Sequence, residues 1–359
     1  MGDLGQDDGL RLPLSSRPNP EKGDPPPWQR LDWLLIAAGS HRDSGGPTRR
    51  VAWTMESPPL IKILGVPIDL GGNHRGVDMG PSALRVAGLN QGIRSLGYAV
   101  EDLGNVHVPN PHSSNPGDPR ARFLDEIAST CEEVAVKVRA AMESGGLPIV
   151  LGGDHSAAIG SISGSAAFHR EKGEAIGVIW VDAHTDMNTP ETTPSGNIHG
   201  MPLASLLGYG PSRLSHILGA APKVRPENVA LIGIRSVDPT ERELVRASGV
   251  HVFTMRAVDE LGIRRVMERA IEAACRGTAG FHFSYDMDGV DARVAPGVGT
   301  PVQGGLTYRE AHLLAEMAFD SKRMLAMDVM ETNPVEDVRN VTAELGVELV
   351  LSALGKRIL

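Results

Sequence analysis

The sequence predicts a single α/β domain over residues 55–359, built on a central, mainly parallel sheet covered by helices on both faces. Three observations lead there. Short β-type runs alternate with helical ones. The β-type runs are apolar at nearly every position, as strands buried on both faces are. Polar clusters recur at their carboxyl ends, where open α/β sheets place their ligand sites.

Taken in order, the first strand is Leu60-Ile61-Lys62-Ile63-Leu64-Gly65 within 60–66. A helical run comes next at roughly 80–95, then a strand at 98–103 and a helix at 123–144. Leu147-Pro148-Ile149-Val150-Leu151-Gly152 forms the strand 147–152 and leads into a helix at 155–169. Another apolar run gives a strand at 175–182, and Asn228-Val229-Ala230-Leu231-Ile232-Gly233-Ile234 gives one at 228–234. The remaining strands are 250–254, 279–286 and 324–330, interleaved with helices at 239–248, 262–276, 307–320 and 337–353, each chosen by its 3.6-residue apolar period. No internal repeat interrupts this alternation.

Residues 1–54 are different. They hold seven of the 26 prolines and three of the four tryptophans, and such a segment is expected to be mostly disordered. Regular patterning begins just after Met55, a candidate alternative start. Trp33-Leu34-Leu35-Ile36-Ala37-Ala38 is too short to span a bilayer and too far from the start for an ordinary signal peptide.

Bulk charge narrows the function. The chain has 35 basic and 44 acidic residues, a net charge of −9, so it offers no basic footprint for nucleic acid or an anionic membrane. A cationic small substrate fits better. Cys131 and Cys275 form no C-x-x-C pair, which argues against a disulfide framework and for a cytoplasmic setting.

Three clusters carry candidate chemistry. Gly152-Gly153-Asp154-His155-Ser156 ends a strand and opens a helix; a lone histidine there is more often a cap or a core residue. In Asp182-Ala183-His184-Thr185-Asp186 the i, i+2, i+4 spacing puts three metal-capable side chains on one face if the strand persists. Asp286-Met287-Asp288 ends another buried strand with the same alternation. Four aspartates so close would repel unless cations neutralised them or some were protonated. Two divalent ions match that charge, with His155 and His184 completing the ligand shells, and a metal pair implies hydrolysis. Asp286-Met287-Asp288-Gly289-Val290 also fits the nucleophile motif of haloacid-dehalogenase-type phosphatases, but it comes too late in the chain for that family.

These segments, GGDHS at 152–156, VDAHTDMNTPETTPSGNIHGMP at 181–202, SYDMDGVDARVAPGVGTPVQGGLTYRE at 284–310 and METNP at 330–334, resemble the ureohydrolase family and, within it, the arginases. So do Gly65-Val66-Pro67-Ile68-Asp69-Leu70 and Arg75-Gly76-Val77-Asp78-Met79-Gly80-Pro81. The resemblance covers about residues 60–355. It implies a three-layer α/β/α fold and two Mn(2+) ions per subunit, one held by His155, Asp182, Asp186 and Asp286, the other by His184, Asp182, Asp286 and Asp288. It further implies that Glu331 pairs with a guanidinium group and that His199 shuttles protons. Asn188 and Ser195 match groups that hold an α-carboxylate, Asp238 and Glu241 match groups near the α-amino group, and Thr193 and Thr300 match supporting hydroxyls.

The activity so implied is attack of a hydroxide bridging two manganese ions on L-arginine, giving L-ornithine and urea, with Asp186 and His199 as proton carriers. Agmatinase and other guanidino-acid hydrolases share the ligands, but Asn188, Ser195 and Asp238 favour an α-amino acid. A non-catalytic family member would be expected to have lost a ligand. Ser236, where animal-type arginases have an acidic residue, and the absence of a long tail after Leu359 fit bacterial-type sequences. A homotrimer or homohexamer is the expected assembly, with Arg309 and Glu310 as candidate contacts.

Overall fold

The computed structural model describes residues 58–358. The disorder expected for residues 1–54 concerns a segment outside those described.

All eight expected strands form: β1 (Ile61–Val66), β2 (Val100–Asn105), β3 (Leu147–Gly152), β4 (Gly177–Val181), β5 (Val229–Ile234), β6 (His251–Thr254), β7 (Phe281–Asp286) and β8 (Met324–Met330). They pair in one sheet in the order β2-β1-β3-β8-β7-β4-β5-β6, and every pairing is parallel. Parallel pairing brings all the carboxyl ends to the same edge. The chain crosses from β3 to β4 over a gap that β8 and β7 later fill, so β3, β8, β7, β4 and β5 lie side by side in the middle.

Strand alternation divides the core in two. Ile61, Ile63, Ile149, Leu151, Ile179 and Val181 face one side, whereas Leu64, Val66, Val150, Val178 and Trp180 face the other. The first side is covered by α1 (Gly80–Val86), α2 (Leu89–Ser95), α8 (Met255–Leu261), α9 (Ile263–Cys275), α10 (Tyr308–Asp320) and α11 (Val341–Ala353). The second is covered by α3 (Leu124–Glu143), α4 (Ala157–Arg170), α5 (Pro202–Leu206) and α6 (Ser212–Ser215), with α7 (Arg242–Ser248) packing through Leu244 and Val245. The result is a three-layer α/β/α domain. Among its described residues, no helix is long and apolar enough to cross a membrane.

Where the elements depart from expectation, local backbone explains most of it. The helix expected at 80–95 is two helices, α1 and α2, broken at Gly88 with φ 89°. The helix expected from 337 starts at Val341, because Arg339 (φ 56°) and Asn340 (φ 66°) are left-handed. Short helices α5, α6 and α8 are additions; none is long enough to display a convincing apolar period. Helix α10 opens with a capping box in which Thr307 accepts from the Glu310 amide and the Glu310 carboxylate accepts from Thr307. Glu310 is thereby engaged within its own chain.

Close packing of α4 on α3 fixes the position of His155, which lies just before α4. Gly160 and Gly164 lie one turn apart on the face of α4 that meets α3. A Cβ at Gly160 would lie 2.6 Å from Cys131 O, and one at Gly164 would lie 2.6 Å from Ala135 O. A Gly164→Val substitution should therefore force the helices apart and cost about 1–3 kcal/mol, read as a lowered midpoint in chemical denaturation. An unchanged midpoint would contradict this packing.

Candidate functional site

Five adjacent strand ends deliver the polar groups to one cleft. His155 follows β3, Glu331 follows β8, Asp286 and Asp288 end β7, Asp182, His184 and Asp186 follow β4, and Asp238 and Glu241 follow β5. A cavity of about 110 Å³ is lined by His155, His184, Asp186, Asp286, Asp288 and Glu331 together with Asn188, Thr193, Ser195, His199, Asp238, Glu241 and Thr300. Asp182 is fully buried beneath it.

The alternation expected for residues 182–186 is not what aims these side chains. Strand β4 ends at Val181, and Asp182–Asp186 is a turn. Asp182 Oδ1 accepts the His184 amide at 2.6 Å, and Asp286 Oδ1 accepts the Asp288 amide at 2.7 Å. Each strand thus finishes on an aspartate whose own carboxylate caps the residue two positions on, folding the chain back to present a second ligand type. Asp186 completes the first turn with φ 50°, and its carbonyl accepts the Leu203 and Ala204 amides at the start of α5. That bond offsets the cost of a left-handed non-glycine residue.

Two groups of donors result. His155 Nδ1 lies 2.8 Å from Asp286 Oδ2, 3.2 Å from Asp182 Oδ2 and 3.4 Å from Asp186 Oδ2. His184 Nδ1 lies 3.1 Å from Asp288 Oδ2 and 3.4 Å from Asp182 Oδ1. The two oxygens of Asp182 therefore face different histidines, and His155-Asp182-Asp186 and Asp182-His184-Asp288 both have metal-binding geometry. Sharing by Asp286 is not seen in the same way: its Oδ2 faces His155, while its Oδ1 is taken by the Asp288 amide. Imidazole and carboxylate donors together suit a borderline or hard divalent cation.

The electrostatics point to the same cations. Burial, reinforced by neighbouring aspartate charges, pushes Asp186 and Asp286 well above the ordinary carboxylate range. Burial opposes charge on Asp182 too, but its contacts with His155 and His184 hold it low. Burial likewise opposes protonation of His155, yet Asp182 and Asp186 push it up to about 9. His184 is raised as well, the Asp288 and Asp182 carboxylates outweighing its burial. All four of the raised groups thus favour a bound proton, the response expected where charge of one sign is gathered without a cation.

A second layer holds these donors still. The Trp180 ring stacks on His155 at 4.1 Å between centroids, and its N–H donates to Asp182 Oδ2 at 2.8 Å. Ser284 Oγ lies 3.0 Å from His155 Nε2 and donates to Asp328 Oδ1 at 2.6 Å, and His282 Nε2 lies 2.8 Å from Asp328 Oδ2. Thr300 donates to Asp288 Oδ2 at 2.8 Å. Arg235 donates to the carbonyls of Asp288 and Val302 at 2.6 and 2.8 Å, tying together two loops at the site. Of these, the sequence alone singles out only Thr300. A clue to the others lies in Asp328 and His282, polar residues inside otherwise apolar strands, which require buried partners.

Glu331 sits at the cleft's inner end with φ 62°. Its Oε1 lies 3.0 Å from the His155 amide, which donates to it, and 3.0 Å from His199 Nδ1. Its amide donates to Gly153 O, and a Cβ on Gly153 would collide with Ile68, so only glycine lets β1, β3 and β8 meet here. Burial alone would raise Glu331, but the bond and charge of His199 lower it; burial alone would lower His199, but Glu331 raises it. No protein donor reaches Glu331 Oε2 among the described residues, and a Cβ at Gly299 would come within 2.7 Å of it.

Toward the mouth, Asn188 Nδ2 donates to Asp238 Oδ2 at 2.9 Å. The Thr193 hydroxyl accepts the Ser195 and Gly196 amides, shaping the loop that carries Ser195. Glu241 accepts the amides of Asp238 and Met187 on its two oxygens, so it braces the neighbours of Asn188 and Asp238. Helix α7 begins only at Arg242, just beyond Asp238 and Glu241.

Known proteins resemble this chain in sequence and fold. The model of the Arginase family matches residues 60–355. The arginase of Bacillus caldovelox is 48% identical over 300 residues, spanning 83% of this chain and 99% of its own. That of Bacillus subtilis (strain 168) is 46% identical over 301 residues, with 83% and 99% covered. The crystal structure of arginase from Bacillus cereus superposes with a TM-score of 0.79 at 46% identity, over 84% of this chain and 100% of that one.

Because Asp182 belongs to both donor groups, its loss should disturb both. Saturating Mn(2+) at about a hundredfold its Kd should stabilise the native chain by about 2.7 kcal/mol per site, raising the thermal midpoint by several degrees. Asp182→Asn should lose most of that rise; a full rise in the variant would refute the shared role.

Proposed function

The chain belongs to the arginase family, and from that membership we infer that it hydrolyses the guanidinium group of L-arginine to L-ornithine and urea. The observation that carries the reading is the meeting, in one cleft, of two His/Asp groups sharing Asp182 with a carboxylate, Glu331, that has a free oxygen.

Manganese is the proposed metal, two ions per subunit. His155, Asp182, Asp186 and Asp286 would hold one ion, and His184, Asp182, Asp286 and Asp288 the other; the two donor groups that share Asp182 fit such a pair. When bound, the pair lowers the pKa of water and so supplies hydroxide near neutral pH.

The chain's own residues do the rest. Glu331 Oε2 accepts guanidinium N–H groups, a planar match that fixes the carbon undergoing attack. Asn188 and Ser195 bind the α-carboxylate, with Thr193 shaping their loop. Asp238 takes the α-amino group, with Glu241 bracing it from behind. After addition to the guanidinium carbon, the C–N bond to the side-chain nitrogen breaks, and that nitrogen needs a proton to depart as an amine. Asp186 and His199 line the cleft where that proton must arrive and are the groups proposed to carry it. Thr300 steadies Asp288.

A cytoplasmic homotrimer or homohexamer completes the reading. Arg309, paired with Glu316 on its own helix at 3.4 Å, is two-thirds exposed and remains a candidate contact; Glu310 is spent on its capping box. Light scattering on the purified chain distinguishes three copies from six, and a monomer would remove the assembly from the proposal.

Turnover of L-arginine, agmatine and 4-guanidinobutyrate with Mn(2+) tests the substrate. L-Arginine should be preferred; preference for agmatine would reassign the chain to that substrate. Breaking a buried charge pairing costs about 3–5 kcal/mol, so Glu331→Gln should lower kcat/KM for L-arginine by roughly 10²–10⁴-fold. Near-native kcat/KM in Glu331→Gln would exclude its guanidinium role.

A further inference from the structure

A second cavity, of about 190 Å³, lies against the inner end of the first. Asn197, His199, Thr300 and Glu331 line both. None of the six candidate metal ligands lines the second cavity. Its outer rim includes Asn73 and His74, both exposed, and its wall includes Gly72 and Gly299. Exposed Asn73 and His74 give this second cavity a solvent-facing rim of its own, parted from the Ser195 loop by Arg122, which donates to Asn73 Oδ1 at 2.5 Å and to Asn197 Oδ1 at 3.3 Å.

Resting on the arginine-hydrolysing reading, we propose that this second cavity is a separate exit for urea, which leaves past Gly72 and His74 while ornithine is still bound at the first mouth. Position is the reason. Asn188, Ser195 and Asp238 lie toward the first mouth, so the amino-acid head occupies that side and the guanidinium carbon lies deeper, against Glu331. With one mouth, urea would be trapped behind ornithine, and ornithine would have to leave first. The second cavity removes that constraint.

Its lining suits a small neutral diamide. Urea needs roughly the space of two waters, at about 30 Å³ each, well within the cavity. Gly72 and Gly299 contribute no side chain, and Glu331 Oε2 is an acceptor for urea N–H groups. Asp154 is no trap for a cation: its oxygens accept from the Gly71 amide at 2.8 Å and the Ser156 amide at 3.0 Å, and from the Ser156 hydroxyl. Gly72 accepts a Cβ without a clash: it would meet the His199 ring at 3.6 Å, an ordinary contact.

The test plugs the exit in two places, with Gly72→Leu in the wall and His74→Trp at the rim, in the full-length metal-loaded enzyme. Each variant should turn over L-arginine at least fivefold more slowly without a rise in KM. Rapid acid quench should reveal a burst of about one ornithine per site, because bond cleavage continues while release is delayed. Ornithine inhibition against L-arginine should change from competitive in the native enzyme to noncompetitive in the variants. Native rates in both variants, or slow turnover in both with no burst, would overturn the exit. A native enzyme that releases no urea from L-arginine would instead overturn the functional reading beneath it.

Discussion

Four aspartate carboxylates, Asp182, Asp186, Asp286 and Asp288, are buried together at the carboxyl edge of a parallel sheet, and their mutual repulsion is the constraint around which the molecule is arranged. Such a cluster is tolerated only if positive charge enters it. Without metal, the crowded charges raise His155, His184, Asp186 and Asp286 alike, so each holds a proton more tightly than it would in water. With metal, the same donors would hold two cations where a substrate can reach them.

The sheet makes the constraint geometrically possible. Parallel pairing places five adjacent strand ends along one line, and the late insertion of β8 and β7 between β3 and β4 sets Glu331, Asp286 and Asp288 between His155 and Asp182. Each acidic strand end then turns on its own carboxylate. Left-handed backbone at Asp186 and Glu331 is held by the α5 amides and by Gly153, respectively. Rigid strands, short turns and a second layer of Trp180, Ser284 and Asp328 leave little freedom in the donor positions.

Much of this is legible in the sequence. Buried parallel strands are apolar at nearly every position, so all eight can be read from it, and the spacing of Asp182, His184 and Asp186 and of Asp286 and Asp288 marks the ligand candidates. Strand alternation is the wrong reason for their convergence: the strands stop, and turns built on Asp182 and Asp286 do the aiming. Glu331 alone would read as a surface glutamate; only its motif singles it out. The Ser284-Asp328-His282 chain is hidden in the sequence because its members lie 44 and 46 residues apart and meet only through strand pairing. The break at Gly88 and the short helices are hidden because one or two turns carry too little period to detect.

If two cations neutralise this acidic cluster and thereby create the hydrolytic site, metal content and activity must rise together. The most direct measurement strips the purified chain of metal, returns Mn(2+) stepwise, and follows bound metal and urea release from L-arginine in the same samples. Neutralisation by a metal pair predicts almost no urea from the metal-free chain and a plateau in activity only when two ions per chain are bound. Full activity without metal, or a plateau at one ion per chain, would contradict it.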